Sequence, residues 1–126
     1  MIGPLNGQTI IIVENEILIA LDIQSILAEL MPERILLARN LAEARELIEA
    51  AGGIDLAILD IMLPDGICFP LARQLLTMDV PMIFLTAASE ILPEELTRWP
   101  VIDKPFLAQD LLFAVRKITL LKDNFA

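Results

Sequence analysis

Five times along its length the chain passes from a short apolar run into a segment with helical periodicity. Strands joined through helices run parallel to one another, and parallel strands are covered on both faces, so this alternation points to an α/β domain. The runs themselves agree. Residues 9–13 (TIIIV) and 56–60 (LAILD) hold no polar residue between their ends, as strands buried on both faces require. At 126 residues the chain has room for one such core and not two.

Residues 17–31 carry Asp22, Ser25 and Glu29 at spacings of three and four, which places Ile17, Leu21, Leu27 and Leu30 on the other side of an amphipathic helix ending near Pro32. Residues 35–38 read as the second strand. Asn40 followed by Glu43 resembles a capping box for a helix that turns Ala44, Leu47, Ile48 and Ala51 inward, and Gly52-Gly53 stops it. After the third strand, Pro64-Asp65-Gly66 forms a turn, and Phe69, Ala72, Leu75 and Leu76 make the buried stripe of a third helix. Residues 81–86 are the fourth strand. Pro93, Glu94 and Glu95 open a helix that Pro100 cuts short after one or two turns. Residues 101–103 form a short edge strand, followed by a helix from about Leu107 to Lys122 with Leu107, Leu111, Ala114, Val115, Ile118 and Leu121 toward the core.

Composition narrows the chemistry. Hydrophobic residues make up 56% of the chain, yet no apolar stretch approaches the roughly 20 residues of a spanning helix. Residues 1–8 lack the basic start of a secretory signal, which leaves the cytoplasm as the expected location and no membrane partner. A net charge of −9 repels phosphate backbones and opposes direct nucleic-acid binding. Histidine is absent, which excludes histidine-dependent triads, and the single cysteine, Cys68, reads as a small core residue near a helix start. Chemistry must therefore come from carboxylates, hydroxyls or amines.

In an open parallel sheet the side chains just past the carboxyl ends of the strands converge on one crevice. Here those residues are Glu14 and Asn15, Asp60, Thr86 and Lys104. Two adjacent carboxylates repel by about 4 kcal/mol at about 4 Å and an effective dielectric near 20, so they favour a cation beside them. Magnesium, a hard ion that takes oxygen ligands, meets that need. Asp55, at the opposite edge, reads as a turn residue, Asp65-Gly66 as support for the turn, and Glu16 as a solvated residue of a first helical turn.

These residues stand in strings that resemble the receiver domains of bacterial two-component response regulators over nearly the whole chain. The strings are 11–16 (IIVENE), 60–66 (DIMLPDG), 85–87 (LTA) and 104–106 (KPF), in the family's order. The resemblance implies a flavodoxin-like (βα)5 fold, with a five-stranded parallel sheet of order 2-1-3-4-5, helices on both faces and a short fourth helix. It implies one receiver domain over residues 1–126 with no effector domain. It implies that Asp60 accepts a phosphoryl group from a phosphohistidine on a histidine kinase or phosphotransfer protein. Magnesium (Mg2+) would be held by Glu14, Asn15, Asp60 and the backbone carbonyl of Met62, while Thr86, the small Ala87 and Lys104 would serve the phosphoryl group. The Lys104-Pro105 bond would be cis, as is usual in the family.

Two departures matter. Asn15 stands where most members have a second acid, which implies weaker magnesium binding and slower or conditional phosphorylation. Val101 stands where many members have a switching aromatic, and Trp99, two residues earlier, is either a substitute moving ring or a cover for the core. The stretch from Thr86 to Lys104 is also shorter than is usual in the family. Phe113, Arg116 and Leu120 form a stripe on the last helix that either packs on the short fourth segment or serves a dimer or partner contact. The expected activity is that of a phosphoryl acceptor in signal transduction and not of a turnover enzyme; the alternative is a pseudo-receiver that binds partners without phosphate. A phosphatase reading meets Met62 where a second aspartate is needed, and a dinucleotide site lacks its glycine-rich loop.

Overall fold

A computed structural model describes residues 5–88 and 90–125, with the backbone alone for residues 120–125. The strands are β1 (Thr9–Val13), β2 (Arg34–Ala38), β3 (Leu56–Asp60), β4 (Met62–Leu63), β5 (Gly66–Ile67), β6 (Met82–Thr86) and β7 (Val101–Asp103). The helices are α1 (Ile17–Ala28), α2 (Leu41–Ala51), α3 (Phe69–Thr77) and α4 (Ala108–Phe125), with a 3-10 turn at Glu94–Leu96. Five parallel strands form the main sheet in the order β2-β1-β3-β6-β7. Counted without the small β4-β5 hairpin this is the order 2-1-3-4-5, with helices on both faces.

Every residue of β1, β3 and β6 is buried, which is why these segments tolerate no polar break inside the strand. Phe84 on β6 is fully enclosed and is among the largest side chains of the core. On the packed side of the helices, α2 buries Leu41, Ala44 and Ile48, and α3 buries Leu71, Ala72 and Leu75. Leu47, Ala51, Phe69 and Leu76 pack against the core while only partly buried.

Two stripes differ from expectation. On α1 the buried residues are Ala20, Ile23 and Leu27, whereas Ile17 is 53% and Leu21 46% exposed. The helix is apolar over most of its circumference, so the spacing of a few polar residues does not fix which face turns inward. It also ends at Ala28, short of residue 31, and Met31 takes a positive φ of 63° just before Pro32. On α4, Leu111, Ala114, Val115 and Ile118 are buried, but Leu107 is exposed because it precedes the helix. Its N–H instead donates to the carboxylate of Asp110 at 2.8 Å, which caps the helix start. The side chain of Leu121 lies outside the described residues.

Turn chemistry completes the frame. Asn40 accepts the Glu43 N–H at 2.8 Å and so caps α2, while the Glu43 carboxylate pairs with Arg39 at 3.5 Å. Gly52 ends α2 in the left-handed region at φ 76°. Asp55 accepts the Thr9 N–H at 2.8 Å and ties the starts of β1 and β3 together. The fourth helix is reduced to the single 3-10 turn, flanked by Pro93 and Pro100.

Candidate functional site

Strand register assembles the site. Val13 pairs with Leu59, so the next residues, Glu14 and Asp60, leave their strands side by side. Asp60 pairs in turn with Leu85, and Thr86 with Asp103, which puts Thr86 and Lys104 at the same edge of the sheet. The Lys104 N–H donates to the Thr86 carbonyl at 2.7 Å, and the Lys104-Pro105 bond is cis.

Among the described residues, the buried polar or charged side chains are Thr9, Glu14, Asp60 and Thr86. Three of them stand at this edge, an arrangement a parallel core does not require for packing. The Lys104 ammonium lies between the two acids, 2.9 Å from Asp60 Oδ2 and 2.7 Å from Glu14 Oε2. Glu14 Oε1 accepts the Glu16 N–H at 3.0 Å, whereas the buried Oε2 faces the Lys104 ammonium.

The electrostatics follow from this packing. Burial pushes the Glu14 carboxyl above its ordinary range; bonds from Lys104 and the Glu16 N–H oppose the shift, and the charge of Asp60 adds to it. Burial by itself would lower the Lys104 ammonium, but its hydrogen bonds to Glu14 and Asp60 outweigh that and hold it above 10.5. Cys68, fully buried, bonds its N–H to the Ile61 carbonyl at 2.8 Å, directly beside the strand end that carries Asp60. Its thiol is pushed up to about 12, first by burial and then by the charges of Asp60 and Glu90.

Glu14, Asp60 and Lys104 are thus in direct contact. Thr86 is buried beside them, but its hydroxyl bonds to Glu90 Oε2 and the Ala88 carbonyl and accepts the Ala88 N–H at 3.1 Å. Asn15 and Ala87 are exposed at the rim, and Met62 opens the β4-β5 hairpin with its side chain 53% exposed. Farther away, Val101 is exposed on the edge strand, while Trp99 sits in the turn before it and packs into the core. The Arg98 guanidinium lies 4.4 Å from the Trp99 ring centroid. Phe113 and Arg116 are exposed, so Phe113 does not pack on the short fourth segment; the Leu120 side chain lies outside the described residues. Val101 and Phe113 line an open groove of about 640 Å³ between β7 and α4.

Two contacts had no counterpart in the sequence reading. One is Glu90 on Thr86, for which the sequence offers no signal, because it depends on the path of the loop. The other is Asp65, whose carboxylate accepts the N–H groups of Leu41 at 2.9 Å and Ala42 at 3.0 Å, tying the hairpin to the start of α2.

The sequence matches the profile of the response regulator receiver domain over residues 10–116. The chain belongs to the receiver domain family. Among solved structures, this receiver domain is similar to the N-terminal domain of a response regulator/sensory box/GGDEF three-domain protein from Carboxydothermus hydrogenoformans, with 26% identity, a TM-score of 0.74, and coverage of 94% of this chain and 100% of the other. It is also similar to SdrG from Sphingomonas melonis Fr1, with 29% identity, a TM-score of 0.71, and coverage of 91% and 98%. The signal receiver domain of an HD domain-containing protein from Pseudomonas fluorescens Pf-5 shares the fold at 24% identity and a TM-score of 0.79, with coverage of 94% and 99%. No curated protein sequence matches the chain. Receiver domains are in general signalling modules that interact with histidine kinases or phosphotransfer proteins and bind magnesium at an acidic pocket. In this receiver domain no group of three or more His, Cys, Asp or Glu side chains is arranged to hold a metal among the described residues, and no helix is long and apolar enough to cross a membrane.

Proposed function

We propose that this receiver domain accepts a phosphoryl group on Asp60 from a phosphohistidine of a histidine kinase or phosphotransfer protein, and signals by protein-protein contact. The observation that carries the reading is the Lys104 ammonium held against Asp60 and Glu14 at the carboxyl edge of a sheet that is otherwise apolar. A carboxylate oxygen of Asp60 attacks phosphorus, the bond to the imidazole nitrogen breaks, and an acyl phosphate forms on Asp60. Lys104, already beside the carboxylate, neutralises charge on the transferring group. The rim is open at Asn15 and Ala87, which admits a donor side chain.

The donor set suits magnesium. It combines the Glu14 and Asp60 carboxylates with the Asn15 amide and the Met62 carbonyl, all hard oxygens. When bound, the ion would neutralise negative charge as the phosphoryl group arrives. Asn15 supplies one negative charge fewer than an acid, so we infer weak binding.

Asn15 also favours a second reading, a pseudo-receiver that recognises partners without phosphate. Beryllofluoride with magnesium separates the two. The phosphoacceptor reading expects a saturable change in the fluorescence of Trp99, the only tryptophan, that disappears in Asp60→Ala. No saturable response, together with no phosphoryl adduct on exposure to small phosphodonors, supports the pseudo-receiver.

A further inference from the structure

The β4-β5 hairpin, which follows Asp60 directly, is fastened at both ends. At its base the Ile61 N–H donates to the Leu85 carbonyl at 2.9 Å, and the Cys68 N–H donates to the Ile61 carbonyl at 2.8 Å. At its turn the Asp65 carboxylate accepts the N–H groups of Leu41 at 2.9 Å and Ala42 at 3.0 Å, the first two residues of α2. Gly66 comes so close to the same helix start that a Cβ there would lie 3.5 Å from Leu41 Cδ1. We propose that Asp65 is a positioning residue for the metal site: by fastening the hairpin to α2, it holds the Met62 carbonyl in place for a magnesium ion. The proposal rests on the reading of Glu14, Asn15, Asp60 and Met62 as magnesium ligands.

The register of the hairpin gives Met62 its part. In an antiparallel pair, opposed residues that exchange hydrogen bonds alternate with opposed residues that do not. Met62 lies opposite Ile67 and Leu63 opposite Gly66, so the bond from Cys68 to Ile61 puts the exchanging positions at Ile61 with Cys68 and at Leu63 with Gly66. Met62 falls between them and turns both its N–H and its carbonyl away from β5. The direction of that carbonyl is therefore set by how the whole hairpin is held, and not by a bond across it. Only Pro64 and Asp65 close the turn, so a contact at Asp65 acts on Met62 through a short ladder. The helix start divides the two roles. Asn40 accepts the Glu43 N–H at 2.8 Å and serves α2 alone. The N–H groups of Leu41 and Ala42 have no partner inside the helix, and Asp65 supplies it from the hairpin, serving both elements at once.

The test is a calorimetric titration of magnesium alone into the natural protein, Asp65→Ala, Asp65→Asn and Asn40→Ala, with urea unfolding of each beside it. Asp65→Ala should bind magnesium about tenfold more weakly, the low end of the loss when the support of a metal ligand is removed. Asp65→Asn loses the charge but keeps an acceptor oxygen for the same N–H groups, and should stay within about threefold of the natural protein, the scale of one exposed charge. Asn40→Ala weakens the same helix start without touching the hairpin; it should lower stability and leave magnesium affinity within about twofold. Unchanged affinity in Asp65→Ala would overturn the proposal. So would an equal loss in Asp65→Asn, which would show plain charge attraction, or in Asn40→Ala, which would show that helix stability alone matters. Those results leave the magnesium ligands standing. If the natural protein binds no magnesium, the reading of the metal site falls and takes the proposal with it.

Discussion

Lys104 concentrates the energetics of the site. Its ammonium is the counterion for two buried carboxylates, so replacing it with methionine leaves Glu14 and Asp60 facing one another without compensation. We expect Lys104→Met to lose about 2 kcal/mol at neutral pH, the scale of one charge-assisted hydrogen bond, as read from urea unfolding. The pH dependence has a definite sign. The folded state holds the Lys104 proton more tightly than the unfolded chain, so its stabilising contribution is fully present below 10.5 and disappears as pH rises through the higher folded value. Thermal unfolding followed upward from pH 9 should show an alkaline loss of stability that Lys104→Met lacks; the same alkaline loss in both would contradict the assignment. Glu14 has the same sign in the acid range. Burial raises its folded pKa, so ionisation costs stability as pH rises from 4.5 through that raised value, and Glu14→Gln should remove this component from the acid limb. At this scale the sequence was informative wherever a residue's place followed from a strand end, as with Glu14, Asp60 and Lys104. Glu90 was invisible because its partner is chosen by the fold of a loop.

At the scale of elements, the clearest prediction concerns the hairpin of β4 and β5. Its Asp65 carboxylate caps α2 from outside the helix, bonding the N–H groups of Leu41 and Ala42 beside the local cap from Asn40. Asp65→Ala should therefore lower the midpoint of chemical denaturation at neutral pH, as the loss of a helix cap does. The Leu41 amide in particular holds the Asp65 carboxyl below 3.8, so this contribution is present above that value and is lost as pH falls through the lower folded one. A variant as stable as the natural protein at neutral pH would show that Asn40 suffices. Strands were legible because burial on both faces leaves an unbroken apolar run. The inward face of α1 was not, since a helix with apolar residues on most sides gives periodicity little to distinguish, and Ala20, Ile23 and Leu27 were selected by packing. Likewise, nothing local to Pro64-Asp65-Gly66 announces that the turn reaches a helix 23 to 24 residues earlier in the chain.

For the whole molecule, the arrangement is an apolar parallel sheet whose buried charge is gathered at one edge, next to a β6-β7 connection reduced to a single 3-10 turn. Strand order was legible through the family resemblance. Of the two readings of Trp99, the structure takes the cover for the core, because a turn and Pro100 separate it from β7 and direct it inward. Asn15 governs how strongly the edge attracts a cation. Asn15→Asp adds a negative charge at the rim and should tighten magnesium binding, on the order of tenfold in a direct titration; an equal or weaker affinity would contradict that role. The central claim is that Asp60 is the phosphoacceptor. Its most direct measurement is intact-mass spectrometry, with peptide mapping, after exposure to a phosphoramidate donor and magnesium, on the natural protein and on Asp60→Asn. The account predicts one phosphoryl adduct per chain, mapped to Asp60 and absent from the variant; no adduct at any donor or magnesium concentration, or an adduct that survives in Asp60→Asn, would contradict it.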